Sequence, residues 1–304
     1  MGLIPQKFAE STVAREGDRG RAWLAELPSI ADDVLSRWDV APDGDTLHGE
    51  VGIVIPVRGD RVVKISFPHP GNDYEADAFE TWGGRGAVRL HRRDDERYAL
   101  LLERAHPEQL VDLGDNDAIP AVAGELSRRL AVRAPDHLPR LSARADEWYD
   151  EVRSGAADFP DALPARSVDA ALNVVDELAR EQPELVVHGD FHARNILRAD
   201  REPWLAVDPK GYVGDPAYDG GTLLLPRVLA YLDADDLVKP LQRELEIFAE
   251  AAGLDPARVR RWAQFRTVQG AYHGRRNGFG RARGGALLDR LVAVAEHLAV
   301  AWTD

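Results

Sequence analysis

At 304 residues the chain is longer than one hydrophobic core usually serves, and its 44% hydrophobic, 30% charged composition excludes a disordered or membrane-embedded polymer. Thirty-eight basic against 52 acidic side chains leave a formal charge of −14, a poor surface for nucleic acid and a better one for a cationic small molecule. Cysteine is absent, which excludes disulfides and thiolate metal sites; no signal-like start or apolar run near ~18 residues is present, so a cytoplasmic protein without membrane attachment is expected.

In chain order, Arg21 to Trp38 places apolar residues at helical spacing around Pro28. This predicts two short helices, or one restarted at Pro28 with Ser29 as cap, packed on the sheet that follows. Thr46 to Val57 is rich in β-branched residues, and Arg58-Gly59-Asp60 reads as a turn into Arg61 to Phe67, giving three antiparallel strands. Gly49 and Gly52 fall where a glycine-rich turn can fold over phosphates, but a strand glycine equally marks a bulge, and both readings stand. Within VVKIS, Val63 and Ile65 face one side of a strand and Lys64 the other, which puts an ammonium opposite the apolar core. Asp73 to Trp82 has a helical pattern and supplies a carboxylate for that lysine, Glu75 or Glu80. Val88 to His91 and Tyr98 to Leu102 are two further strands, with Arg92 to Glu96 as a charged loop, and Glu103-Arg104-Ala105 leads out of this sheet ahead of Pro107.

Ala118 to Val132, Leu141 to Val152 and Val168 to Arg180 read as helices. In the second, Asp146, Glu147, Asp150 and Glu151 surround Trp148-Tyr149. That grouping suits a guanidino or polycationic ligand, and equally a solvated helix face.

Val186-Val187 then lead into His188-Gly189-Asp190. Ile196-Leu197 and Trp204 to Val207 flank a polar turn and are expected to pair as a hairpin, carrying the chain out from Asn195 and back at Asp208 so that their side chains share one cation. Phosphoryl transfer needs a carboxylate for the acceptor proton and oxygen ligands for a hard ion on the nucleotide phosphates. Asp190 and Asn195 have the D-x-x-x-x-N spacing of a protein-kinase catalytic loop, and Asp208 stands where the second Mg²⁺ carboxylate belongs. His188, Asp190 and His192 also spell a zinc-hydrolase pattern, but that reading leaves Asn195, Asp208 and Lys64 unused. A non-catalytic nucleotide binder usually lacks the base or the metal carboxylate, and both are present here. Further helices are expected at Gly220 to Leu232, Leu237 to Ala252, Arg258 to Tyr272 and Ala286 to Trp302, with Gly253 as a stop and Pro256 as a start. RRNGFGRARGG (275–285) reads as a flexible loop near the acceptor.

HGDFHARNIL followed by REPWLAVDPKGYVGDPAYD resembles the aminoglycoside phosphotransferase superfamily, in its streptomycin 6-kinase and hydroxyurea-kinase branch. GRAWLAELPSIADDVLSRWDV, VVKISF, WGGRGAVRL and ALLLERA resemble that branch in the same order. The resemblance implies an α+β, protein-kinase-like, two-lobed fold. Its small five-stranded antiparallel N-lobe (1–103) carries a helical extension (1–40), and its mostly helical C-lobe (104–304) holds the catalytic loop and acceptor site. It implies ATP with Mg²⁺ as cofactors and transfer of the γ-phosphate to a hydroxyl of a streptomycin-type aminoglycoside, with hydroxyurea or a sugar-like aminocyclitol as alternative acceptors. By the same resemblance Asp190 is the base, Asn195 and Asp208 hold the metal, and Glu75 rather than Glu80 holds Lys64. Backbone groups of Glu103 and Ala105 meet the nucleotide base, Gly49 and Gly52 lie over the phosphates, and Asp215 and Asp219 brace the catalytic loop. Lys210 is left as either a phosphate contact or a local salt bridge, and His192 as a residue approaching the phosphates.

Overall fold

The structure, a computed structural model, describes residues 3–279, 282 and 284–303. The chain divides into two compact units, Met1–Pro107 with Arg198–Lys210, and Glu108–Leu197 with Gly211–Asp304.

The first unit is built on a five-stranded antiparallel sheet. Helix α1 (Gln6–Trp38) precedes β1 (Leu47–His48), β2 (Gly52–Val57) and β3 (Arg61–Ser66), then come α2 (Glu75–Trp82), β4 (Leu90–Asp94) and β5 (Ala99–Glu103), in the sheet order β1-β2-β3-β5-β4. Alternation along β3 divides its side chains. Val63 and Ile65 are fully buried in a cluster with Ile53, Ile55 and Leu101 against Trp23, Leu27, Ala31 and Val34 of α1. Lys64 projects from the opposite face, towards α2.

The helical extension differs from the expectation at its break. No restart occurs at Pro28, which lies inside α1, and the non-helical residue is Gly17 at φ 60°, ψ −130°. A proline removes one helical hydrogen bond and crowds the preceding turn, but the buried stripe of Trp23, Leu27, Ala31 and Val34 runs straight through it and holds the helix. The β4 boundary also moves. Val88 N–H donates to Ala206 O at 3.2 Å, so that stretch pairs elsewhere, and the strand instead runs through Arg92 and Arg93. Those charges are tolerated because Arg92 Nη1 donates to Trp38 O and Arg93 pairs with Asp77, Glu80 and Asp95.

In the second unit, α3 (Ala118–Leu130), α4 (Ala145–Asp158) and α5 (Ala165–Val174), which continues as a π turn over Val175–Ala179, come first. Strand β6 (Val186–Val187) enters the loop 188–195, the expected catalytic loop, and β7 (Ile196–Arg198) leaves it. The chain returns along β8 (Trp204–Ala206), after a turn closed by Ala199 N–H donating to Pro203 O, as the expected hairpin requires. Strand β9 (Tyr212–Val213) pairs with β6, and α6 (Pro216–Arg227), α7 (Val238–Ala252), α8 (Pro256–Asn277) and α9 (Gly285–Ala301) follow.

Helix α6 starts four residues before its expected place because Asp215 caps it, accepting from Ala217 N–H at 3.0 Å, with Pro216 in the first turn. Residues Arg275 to Asn277 of the arginine-glycine stretch are helical rather than loop, with Arg275 paired to Glu296 and Arg276 to Asp158. Gly280, Arg281 and Arg283 lie outside the described residues. Trp148 is not a ligand platform: it is buried against Tyr218, Trp262 and Phe265, while Asp146 and Glu147 pair with Arg180 and Arg144. Among the described residues no helix is long and apolar enough to cross a membrane.

Helix α6 packs so closely that a Cβ on Gly220 would lie 2.7 Å from Val259 Cγ1 and 2.8 Å from Phe248 Cε1. Gly220→Ala is therefore expected to lower stability by about 1–3 kcal/mol, as overpacked cores do. An unchanged urea midpoint would mean that α6, α7 and α8 have slack at this contact.

Candidate active site

In the first unit, three side chains converge. Lys64 Nζ lies 2.6 Å from Glu75 Oε1 and 2.6 Å from Asp208 Oδ1. Lysine and Glu75 are both buried. Strand β3 supplies the lysine, the first turn of α2 supplies Glu75, and β8 delivers Asp208. Strand β8 is fixed by Ala206 N–H donating to Gly86 O at 2.9 Å and Val88 N–H donating to Ala206 O. Glu80, the alternative partner, instead pairs with Arg93.

Burial alone would push the Lys64 ammonium down, but the carboxylates of Asp208 and Glu75 outweigh it and raise its pKa. Burial raises the Glu75 carboxyl against the pull of Lys64, and Lys210 lies near enough to lower it as well. Lys210 itself forms no ion pair among the described residues. Asp208 sits at φ 60°, a left-handed conformation uncommon outside glycine and frequent at functional positions.

Gly52 has a steric requirement of its own. A Cβ there would lie 2.7 Å from Ile65 O, so close pairing of β2 and β3 demands glycine. Gly49 closes the β1–β2 turn by donating to Gly52 O at 2.9 Å, and open space surrounds the position its Cβ would take.

At the end of β5, Glu103 uses its side chain structurally. Burial would raise its carboxyl, but Arg201 lowers it with a forked contact, 2.9 Å from Nε to Oε1 and 2.8 Å from Nη2 to Oε2. Arg201 also donates to Gly84 O and Ala87 O, tying the hairpin turn to this unit. Glu103 N–H donates to Arg89 O and Arg104 N–H to Asp60 O, whereas Ala105 N–H has no partner among the described residues. Nothing in the spacing of Arg201 pointed to this clamp.

In the second unit, the catalytic loop is held by its backbone. Gly189 turns the chain at φ 82°. Asp219 of α6 is buried and accepts from His188 N–H and Gly189 N–H, each at 2.9 Å, and Phe191 N–H donates to Thr222 Oγ1. His188 is fully buried and its Nδ1 accepts from Asp190 N–H at 3.3 Å. Asp215 joins α6 to α8 by accepting from Trp262 Nε1 at 2.7 Å and Arg258 Nε at 2.6 Å. Thr222 and Gln182, which accepts from Asp215 N–H, carried no sequence signal because each acts through one side chain on a distant backbone.

The outcome is a half-exposed Asp190 carboxylate with His192 Nε2 at 3.8 Å from its Oδ1. Asn195 Nδ2 donates to Asp190 O at 3.0 Å, which fixes the amide and leaves Oδ1 as an acceptor. An amide oxygen is of the ligand type that suits a hard ion taking its other ligands from phosphate and water, and the Asp208 carboxylate is of the same type. Among the described residues no group of three or more His, Cys, Asp or Glu can hold a metal, which removes support from the zinc-hydrolase reading.

The family described as aminoglycoside/hydroxyurea antibiotic resistance kinase matches residues 37–278. A streptomycin 6-kinase of Streptomyces glaucescens is 35% identical over 274 residues, covering 88% of this chain and 89% of the relative. A hydroxyurea phosphotransferase of Kitasatospora aureofaciens is 33% identical over 303 residues, covering 97% of this chain and 85% of the relative. Among solved structures, a choline/ethanolamine kinase family protein from Mesorhizobium loti has a TM-score of 0.59 at 16% identity, covering 90% of this chain and 95% of that one. That likeness is one of fold.

Burial pushes the Asp219 carboxyl up to about 7 against its two N–H donors, with the charges of Asp190 and Asp215 adding to the rise. An unfolded aspartate titrates near ~3.9, so the fold favours the neutral form. This contribution to stability is full below about pH 4 and is lost as pH rises through about 7. Asp219→Asn, which cannot satisfy both donors, is expected to be destabilised, with the gap to wild type narrowing over that window. Urea midpoints measured from pH 4.5 to 7.5 that run parallel for the two proteins would contradict this.

Proposed function

This chain belongs to the aminoglycoside/hydroxyurea antibiotic resistance kinase family and is a phosphotransferase, and from that premise we propose that it moves the γ-phosphate of ATP to the 6-hydroxyl of a streptomycin-type aminoglycoside. The observation that supports phosphoryl transfer is the Lys64 ammonium held 2.6 Å from both Glu75 and Asp208, and the acceptor rests on the similarity to a streptomycin 6-kinase. A buried cation anchored by one carboxylate and shared with a second is suited to neutralising phosphate charge.

In the proposed mechanism Asp190 orients the acceptor hydroxyl and takes its proton as the oxygen bonds to the γ-phosphorus and ADP departs. The accessible carboxylate of Asp190 and the bond that fixes Asn195 to its carbonyl support those roles. Asn195 Oδ1 and Asp208 would hold Mg²⁺, which when bound would offset phosphate charge. Lys64, positioned by Glu75, neutralises the remainder. The Ala105 N–H is available as a donor to the nucleotide base. The net charge of −14 favours approach of a cationic acceptor.

A nucleotide-consumption screen against streptomycin, hydroxyurea, other aminoglycosides and simple sugars tests the acceptor. Streptomycin-dependent ADP release, with phosphate recovered on the 6-hydroxyl, is expected. The hydroxyurea relative favours the second reading, and release stimulated by hydroxyurea alone would select it. Asp190→Ala should lower turnover ~10²–10⁴-fold with nucleotide affinity unchanged, and near-normal turnover would remove Asp190 from the role. Asp208→Asn should raise the Mg²⁺ concentration needed for half-maximal rate, and an unaltered requirement would place the metal on other residues.

A further inference from the structure

We propose that a cavity in the helical unit, walled on one side by Arg194 of the loop that carries Asp190 and Asn195, binds a small apolar monocarboxylate with Arg194 as its counter-ion. The cavity measures about 280 Å³ and lies among the end of α6 and the turn after it, helix α8 and helix α9, with Val228, Leu291 and Leu298 in its walls. That size stands at the small end of ligand pockets, ~300–1,000 Å³, and suits a fragment with a short chain or single ring.

Two features distinguish it from an ordinary packing gap. Arg194 supplies its one charged lining side chain, and among the described residues that guanidinium has no hydrogen-bond or ion-pair partner. The other polar side chain in the wall, Thr267, is already committed, its hydroxyl donating to Gln264 O at 2.7 Å. A guanidinium beside apolar walls selects a ligand with an apolar body and a planar anionic end, since a carboxylate accepts its donors in pairs. Such a pocket rejects a polycation. Gly270 is the second feature. It stands within α8, where glycine costs about 1 kcal/mol relative to alanine, and no heavy atom lies within 4 Å of the position its Cβ would occupy. The absent side chain leaves room in the cavity.

The test uses the full chain without nucleotide, so its result is independent of phosphoryl transfer. Hexanoate and its neutral analogue hexanamide are titrated into wild type, Arg194→Ala and Gly270→Leu, with binding read by ligand-observed NMR. Wild type should bind hexanoate saturably and at least about tenfold more tightly than hexanamide, the range of a charge-assisted bond. Arg194→Ala should lose that preference. Gly270→Leu, which fills the space, should bind neither while keeping its circular dichroism and unfolding midpoint. If Gly270→Leu fails to fold, the acid-to-amide ratio in Arg194→Ala decides alone. Absence of saturable binding to wild type, equal affinity for acid and amide, or unchanged binding in a folded Gly270→Leu overturns the proposal.

Discussion

A buried ammonium must be paired, and the first unit is arranged around that requirement. Taking Lys64 out of water is unfavourable unless opposite charges approach closely, and removing one partner of such a buried pair typically costs about 3–5 kcal/mol. Glu75 and Asp208 meet the requirement from elements far apart in sequence, so α2 and β8 must both reach the polar face of β3. Arg201 contributes to the same end: its contacts with Glu103, Gly84 and Ala87 hold the turn from which β8 returns. The opposite face of β3 is apolar and lies on α1, which keeps the lysine face from slipping to the other side.

The second unit meets a different constraint. Its catalytic loop is irregular backbone, and irregular backbone exposes donors that need partners. Asp219 and Thr222, both on α6, accept the N–H groups of His188, Gly189 and Phe191, while Asp190 N–H turns inward to His188. With those groups committed, the Asp190 carboxylate stands half-exposed on the loop and Asn195 is held by its bond to Asp190 O. Asp215 extends the support to α8 through Trp262 and Arg258. Asp219, Thr222 and His188 thus determine where Asp190 and Asn195 stand.

Much of this was legible because short-range rules govern it. The alternation of Val63, Lys64 and Ile65, the turn at Gly59, the cap signal at Gly253 and the D-x-x-x-x-N spacing each depend on a few neighbouring residues. Expectations failed where distant packing overrode a local rule. Pro28 is a helix breaker by its own chemistry, yet the apolar stripe of α1 carries the helix across it. Arg92 and Arg93 look like loop residues until Trp38 O, Asp77 and Asp95 neutralise them within a strand. Gly52 illustrates a third case, in which the neighbouring strand sets the requirement: Ile65 O lies too close to admit a Cβ, and no local pattern shows that approach.

The sequence by itself determined the five-stranded sheet, the helical remainder and the residue types that phosphoryl transfer requires, because periodicity, turn chemistry and motif spacing are local properties. Spacing left Glu75 and Glu80 both open, with only the resemblance favouring Glu75; the tertiary structure decided that Glu75 meets Lys64 while Glu80 meets Arg93, and that Arg201 clamps Glu103. Each of those choices is a meeting of side chains separated along the chain. Which carboxylate reaches a given cation depends on how helices and strands pack, and no local pattern carries that information.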